Sequence, residues 1–395
     1  MARRGADFGV MIGGPITVDM KKVKERKDRA VERSNQGVGN WLKNLKNAKV
    51  YEDHGKFEGP HTVRAGGELL EAEKIFINVG ARAAVMDLPG VKYLTNSSIM
   101  EVDFLPKHLI IIGGSYIGLE FGQMYRRFGS EVTIIDRGAR LIKQDDEDVS
   151  QAVKEILEAE GVNIRLEAEC IAAKQQGDQI TVNLDCKTGG REVTGSHLLL
   201  AIGRSPNTDD LGLEKAGLEV DEKGYIDVDD QLRTNVPGVW AIGDCNGKGA
   251  FTHTSYNDYE IVAANLFNND PRRVSDRILT YGLFIDPPLG RAGMTEAEVK
   301  KSGRKALLGK RPMTRVARAV EKGETQGFMK IVVDSDTKEI LGAAVLGVGG
   351  DEVIHSILDV MYAKAPYTVI QRAVHTHPTV SELIPTMLGD LKPLE

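Results

Sequence analysis

The stretch HLIIIGGSYIGLEFGQMYRRFG, residues 108–129, decides the fold class. Its first five residues form a short apolar run, which reads as a strand buried on both faces. Glycines 113, 114 and 118 follow at once, and the residues after them have helical periodicity. EVTIIDRG, residues 131–138, then supplies a second strand. Strand, glycine turn, helix and strand in that order make a βαβ unit of a parallel, doubly wound sheet. Working outward, DVSQAVKEILEAEG (148–161) places Val149, Val153, Ile156 and Leu157 on one helical face and closes at Gly161. HLLLAIGRSPNT (197–208) returns to a strand.

The flanks read differently. Residues 18–47 carry apolar residues at helical spacing (Val23, Ala30, Val31, Val38, Trp41, Leu42, Leu45), interrupted by the glycines at 37 and 39, and read as one charged amphipathic helix or a pair of helices. Short alternating runs from Val50 to Val79 predict a small antiparallel sheet ending in the strand KIFINVG. A strand ending AIGDC (241–245) precedes a helix expected over about 257–268. FMKIVVDSDTKEILGAAVLG reads as a hairpin turning at Asp334 to Thr337, and VIHSILDVMYAKA as the helix of an α+β region.

Composition narrows the function classes. A net charge of −6 argues against a dedicated nucleic-acid binder, and no apolar run approaches a membrane span. The N-terminus has no apolar signal-peptide core. Cys170, Cys186 and Cys245 stand far apart without a CxxC pair, which points to a reducing, cytoplasmic setting and no disulfide framework.

Gly113-Gly114-Ser115-Tyr116-Ile117-Gly118 has the context of a dinucleotide fingerprint, a strand before it and a helix after it. Gly113 makes the tight turn and Gly118 permits close helix–strand packing. Ser115 occupies the middle position, where it crowds a pyrophosphate without closing the helix N-terminus to it. A turn that has lost its ligand would carry the same residues. Asp136 ends the second strand, where a carboxylate accepts ribose hydroxyls and repels a 2′-phosphate. That favours NADH over NADPH, although Arg137 or Arg140 could pair with a phosphate. In AIGDC, Asp244 follows Gly243 at a strand–helix junction and reads equally as a ligand for a ribityl or ribose hydroxyl and as a plain helix cap. His377 precedes Pro378, and Glu382 lies five residues on, within reach if the chain turns. The pair could be a general acid–base or a histidine capping a C-terminal helix; His375 has the same two readings.

These motifs together resemble the class I flavin-dependent pyridine nucleotide–disulfide oxidoreductases, the family of dihydrolipoamide dehydrogenase, glutathione reductase and mercuric reductase. The glycine–tyrosine–glutamate stretch, AIGRSPNT, VWAIGDC, FIDPPLGRAGMTEAE, RAVEKGETQGFMKIVVD and HTHPTVSE occur in the family's order across essentially the whole chain. It looks closest to the mercuric-reductase-like side. The resemblance implies an NAD-binding domain (106–234) inserted in an incomplete FAD-binding domain (1–105 and 235–272), then a dimerisation domain (273–395). FAD and NAD would be the cofactors and a homodimer the assembly. Gly80 would lie near FAD, and Asp244 would hold its ribityl–phosphate region. Tyr116 would be a movable lid at the nicotinamide, Glu120 would help place the nicotinamide, and Arg204 with Asp136 would line the nucleotide path. His377, oriented by Glu382, would be the acid–base acting in the other subunit.

The chain departs from the family pattern at its start. The strand, glycine turn and helix that cradle the FAD diphosphate, the helix with two cysteines, and the lysine near the flavin have no counterpart; the match begins at ARRGADFG. A relay from NADH through flavin to a dithiol then has no final carrier, and the sheet is expected to expose an edge. Three expectations follow: a longer reading frame with Met1 a wrongly chosen start, a short chain that binds NADH with impaired reductase activity, or a catalytically dead dimeric structural or regulatory relative. The electron acceptor stays open among a metal ion, a disulfide and a quinone.

Overall fold

The computed structural model describes residues 2–186 and 189–395, so the candidate start Met1 lies outside the described residues. The chain divides into two compact units, one of Met1–Glu32, Met86–Ile202 and Leu279–Glu395, the other of Arg33–Val85 and Gly203–Ile278.

The first unit contains the expected parallel sheet. Its strands run His197–Leu200, His108–Ile112, Glu131–Ile135, Asn163–Arg165 in spatial order, all parallel. Leu109, Ile110, Ile111, Ile134 and Ile135 are fully buried, which accounts for the continuous apolar run, at about 1.5–3 kcal/mol for each such side chain. The helix Tyr116–Phe128 covers one face. A Cβ on Gly122 would come within 2.8 Å of Ile134, so glycine sets that close approach. A three-stranded antiparallel sheet (Ala168–Gln176, Gln179–Cys186, Glu192–Gly195) contributes Ala168, Ile180, Val182 and Leu184 to a core shared with Ile110, Ile112 and Ile135. The helix Glu147–Ala159 buries Val149, Val153, Ile156 and Leu157 as the sequence predicts.

The same unit ends in a six-stranded antiparallel sheet, ordered Thr280–Leu283, Leu289–Gly293, Ile340–Leu346, Phe328–Asp334, Ala306–Pro312, Lys392–Pro393. The predicted hairpin is its centre, with every residue of both strands buried. The Asp334 carboxylate accepts the N–H groups of Asp336 (2.9 Å) and Thr337 (3.0 Å) and so shapes the turn. The helix Gly350–Tyr362 packs on this sheet, where a Cβ on Gly290 would meet the Gly350 carbonyl at 2.2 Å.

The second unit contains the antiparallel sheet Gly55–Gly59, Thr62–Ala65, Glu68–Glu71, which begins five residues later than Val50. The KIFINVG strand is short, Ile75–Ile77, and among the described residues it pairs in parallel with Val239–Ala241, whose other edge is bridged by Arg233 at Trp240. Arg204–Pro206 pairs antiparallel with Ala81–Ala83.

Of the two readings of residues 18–47 the single helix holds, and the start of one later helix is corrected. Residues 20–43 form one unbroken helix, Met20–Lys43. Gly37 and Gly39 have open space at Cβ and helical backbone, and each costs a helix only about 1 kcal/mol, too little to break it. The helix after AIGDC begins at Thr252 rather than near 257. Thr254 Oγ1 accepts the Phe251 N–H (3.1 Å) and donates to the Phe251 carbonyl (2.7 Å), a cap that offsets the weak propensity of the Thr-His-Thr start.

Candidate functional site

The glycine turn has the close geometry that excludes larger residues. A Cβ on Gly113, whose φ is +119°, would sit 2.1 Å from the Ala201 carbonyl oxygen, and one on Gly118 would sit 2.0 Å from the Gly113 oxygen. Strand and helix therefore approach until only glycine fits, and the first turn of a 13-residue helix faces outward from the sheet end. Ser115 occupies the cap position, and its side chain makes no capping hydrogen bond. The turn is thus a cradle suited to a dinucleotide diphosphate.

Asp136 holds this turn together. One carboxylate oxygen accepts the Gly114 N–H and the other the Gly138 N–H, each at 2.6 Å. Each oxygen keeps a lone pair to accept a ribose hydroxyl. The loop after Asp136 folds back over the turn, with the Ile142 N–H donating to the Gly114 carbonyl at 2.9 Å.

Along one stripe of the turn helix, residues 116, 120, 123 and 127 meet the segment Tyr281–Asp286. Tyr116 packs edge-on against Tyr281, ring centroids 5.2 Å apart. Glu120 accepts the Phe284 N–H (2.9 Å), Gln123 bonds the Asp286 N–H (2.7 Å) and carbonyl (2.8 Å), and Arg127 pairs with the Asp286 carboxylate. Burial pushes the Tyr116 phenol and the Glu120 carboxyl above their ordinary values. Glu120, a candidate for placing nicotinamide, thus spends one carboxylate oxygen on backbone.

Beyond this stripe lies a buried ionic cluster whose Arg291, Glu296 and Lys330 fall inside the family-like segments FIDPPLGRAGMTEAE and RAVEKGETQGFMKIVVD, where the sequence suggested no role for them. Tyr281 donates to Asp145 (2.6 Å), Arg291 pairs with Asp146 (3.1 Å), and the Lys330 ammonium lies 2.8, 2.6 and 2.7 Å from Asp146, Asp148 and Glu296. Those three carboxylates have the spacing of a cation site, and Lys330 is the cation among them. Burial opposes the charge on Lys330, and its carboxylate neighbours outweigh that and hold its pKa above the usual lysine range. Within those segments the signal was a lone cation in each of two largely apolar strands, FMKIVVD and LGRAG.

In the second unit, Arg204 Nε lies 3.3 Å from the Asp244 carboxylate, and another guanidinium nitrogen donates to the Ala81 carbonyl. Gly80 accepts the Asn207 N–H (3.1 Å), which places it beside the same strand pair. Gly243 has φ +73°, and a Cβ there would meet Asn78 at 2.6 Å and Ser255 at 2.8 Å. Its N–H donates to Asp258 (2.8 Å), a buried carboxylate that also accepts from Asn246 (2.9 Å) and pairs with Arg277. Asp258 is thus the hub of the AIGDC turn, unmarked by any motif. These residues fit the ribityl side of a flavin. Among the described residues of this unit there is no strand–glycine turn–helix to cradle its diphosphate.

His377 Nδ1 lies 2.9 and 3.1 Å from the two oxygens of Glu382. The helix-capping reading is corrected, because the cap positions of the two following helical turns are Val380 and Leu383. The imidazole side chain is 74% exposed and Glu382 only 14%, so the carboxylate is the anchor and the ring presents its other nitrogen. His375 bonds only the Ala373 carbonyl (3.1 Å). The three cysteines are free, and burial pushes the Cys170 and Cys245 thiols up. Among the described residues no helix is long and apolar enough to cross a membrane.

Comparison with known proteins gives this geometry a lineage. The family model "Pyridine nucleotide-disulphide oxidoreductase" matches residues 10–258, and that family's dimerisation domain matches residues 280–388. The chain is 34% identical to the probable pyridine nucleotide-disulfide oxidoreductase RclA of Escherichia coli, over 92% of this chain and 85% of that one. It is 31% identical to a dihydrolipoyl dehydrogenase of Thermus scotoductus (92% and 80% covered) and 31% identical to a mercuric reductase of Bacillus cereus (85% and 53%). Those equal identities do not sort it toward mercuric reductase. The solved structure of the HOCl-induced flavoprotein disulfide reductase RclA from Escherichia coli superposes with a TM-score of 0.88 at 33% identity, covering 94% of this chain and 86% of that one. With both family domains matched in order, the chain belongs to the pyridine nucleotide-disulphide oxidoreductase family, carries its dimerisation domain, and lacks a cysteine disulfide pair.

Proposed function

We propose that this chain binds NADH in the Gly113–Gly118 turn and is a flavin-dependent NAD(P)H oxidoreductase whose onward electron transfer is impaired. The close approach at Gly113 and Gly118 carries the reading, since only glycine fits there and the Ser115 side chain at the helix N-terminus makes no capping hydrogen bond. Asp136 would accept the ribose hydroxyls, and its charge would oppose a 2′-phosphate, favouring NADH over NADPH. Tyr116 would border the nicotinamide and Glu120 would help place it. Gly80, Arg204, Gly243 and Asp244 would hold the ribityl side of FAD. Bound FAD would supply the hydride acceptor and pass electrons to a substrate. In a homodimer, His377 would serve the partner subunit; with Nδ1 given to Glu382, its other ring nitrogen would hold or release the proton.

The impairment rests on the cysteines. Two are buried with raised thiol pKa values, and none lies two turns of chain from another, so the histidine has no thiolate to serve here. A dimeric NADH-binding protein without reductase activity is the alternative that this favours. The division at 105/106, 234/235 and 272/273 is part of the same proposal, and the gap between family matches that end at 258 and resume at 280 supports its last boundary alone.

Calorimetric titration of the full chain with NADH tests the reading, with Gly118→Ala as the control. Wild type should bind and the variant should lose at least about tenfold, since a methyl group cannot share the space of the Gly113 oxygen. Wild type that binds no NADH refutes the proposal. Visible absorption after desalting then separates a flavoprotein from a colourless NADH binder.

A further inference from the structure

The nucleotide turn is roofed by the loop 137–146, and this loop is fastened from the dimerisation sheet. At its near end, Gly138 N–H is held by Asp136 (2.6 Å), and Ile142 N–H donates to Gly114 (2.9 Å). Leu141 lies so close that a Cβ on Gly114 would come within 2.7 Å of it. At its far end, both side chains are buried carboxylates with partners on strands more than a hundred residues away. Asp145 accepts from Tyr281 (2.6 Å) and faces Arg291 (3.8 Å); Asp146 pairs with Arg291 (3.1 Å) and Lys330 (2.8 Å) and accepts the Glu296 N–H (2.8 Å). A loop that only needed to connect a strand to a helix would not bury two charges at its end, because unpaired burial is costly.

We infer that Tyr281 and Arg291 are positioning residues for the nucleotide site, holding the loop 137–146 over the glycine turn through Asp145 and Asp146. The inference rests on the NADH reading of that turn only for its effect on ligands. The loop carries Arg137 and Arg140 and contributes the Gly138 N–H that orients Asp136. It therefore sets both how tightly a nucleotide is held and how strongly a 2′-phosphate is rejected. Tyr281 is the better probe of the two, since its phenylalanine analogue keeps the ring packed on Tyr116 and removes only the hydroxyl, which is bonded to Asp145 and also to the Tyr116 side chain.

The experiment compares full-length wild type with Tyr281→Phe and Arg291→Met in two measurements. Hydrogen–deuterium exchange without ligand should speed up in peptides spanning 137–146 and stay unchanged in the parallel-sheet strands. Titration with NADH and with NADPH should show NADH affinity falling roughly three- to tenfold in Tyr281→Phe, the size of one ordinary intramolecular hydrogen bond. The NADH-over-NADPH ratio should fall with it. Unchanged exchange in 137–146 overturns the inference whether or not any nucleotide binds. An equal fall for both nucleotides overturns it too, because that marks general loss of fold. If wild type binds neither nucleotide while exchange in 137–146 rises as expected, the NADH reading fails and the anchoring stands.

Discussion

Replacing Lys330 with methionine should destabilise the first unit strongly for so conservative a change in side-chain length. Lys330 is 1% exposed, and its ammonium lies 2.6 to 2.8 Å from three carboxylates. At an effective dielectric of about 20, each contact is worth roughly 6 kcal/mol before desolvation is subtracted. Methionine fills the same stem but leaves Asp146, Asp148 and Glu296 facing one another. Asp146 keeps Arg291 and Asp148 keeps Lys310, whereas Glu296 loses its cation. Removing one partner of a buried ionic cluster costs about 3–5 kcal/mol, which at ~2 °C per kcal/mol lowers the melting temperature by roughly 6–10 °C. Calorimetry at neutral pH reads this. The gap has a pH signature as well. Burial pushes the Asp148 carboxyl up, but Lys310 and Lys330 outweigh it and hold it below the usual carboxylate range, so that group's contribution is present above the unfolded carboxyl pKa and is lost as pH falls through the folded value. Lys330 is raised, so its own contribution persists until pH climbs through its folded pKa. The gap between wild type and variant should therefore be full at neutral pH and narrow toward about pH 4, where free carboxyls begin to protonate. Adding Glu296→Gln to the variant should recover part of the loss. A variant melting within about 1 °C of wild type at neutral pH, or a gap that ignores acid, would refute the assignment of Lys330 as the cluster's cation.

Two further outcomes are expected. In Glu382→Ala, the His377 ring loses the acceptor at Nδ1 (2.9 Å), so nitrogen NMR should show the tautomer held in wild type giving way to a mixture; an unchanged tautomer would mean the pair is incidental. A thiol reagent at neutral pH should label Cys186 first, since Cys170 and Cys245 are buried with thiols pushed up, and all three should react once the chain is denatured; fast labelling of Cys245 would contradict its burial.

What the sequence carried was local. Leu109 to Ile112 reads as a strand because every residue in it is apolar, and Gly113 and Gly118 read as a turn because their spacing admits little else. Hydrophobic periodicity also located the helix Glu147–Ala159 and the central hairpin. It left one helix or two open at residues 37 and 39, where two helix-weakening glycines are outvoted by a 24-residue helix, and it missed Thr252, where a side-chain cap rather than propensity starts the helix. His377 and Glu382 were legible as a pair only because five residues separate them.

The anchoring of the nucleotide loop was illegible for a physical reason. Asp145 and Asp146 stand before a helix, where acidic residues are ordinary and complement the helix dipole. Nothing local distinguishes that use from burial against Arg291 and Lys330, which arrive from strands far along the chain. The stripe of Tyr116, Glu120, Gln123 and Arg127 poses the same problem: its spacing marks one face of a helix, and the polarity of that face suggests solvent. It instead meets backbone groups of Phe284 and Asp286 as well as the Tyr281 ring, partners whose side-chain identity hardly matters to the first two contacts. A nucleotide site whose motif lies within some thirty residues can therefore depend for its exact shape on a sheet that carries no trace of the motif. This is why substitutions at Tyr281 or Arg291, remote from the glycine turn in sequence, are the ones that test how the turn is held.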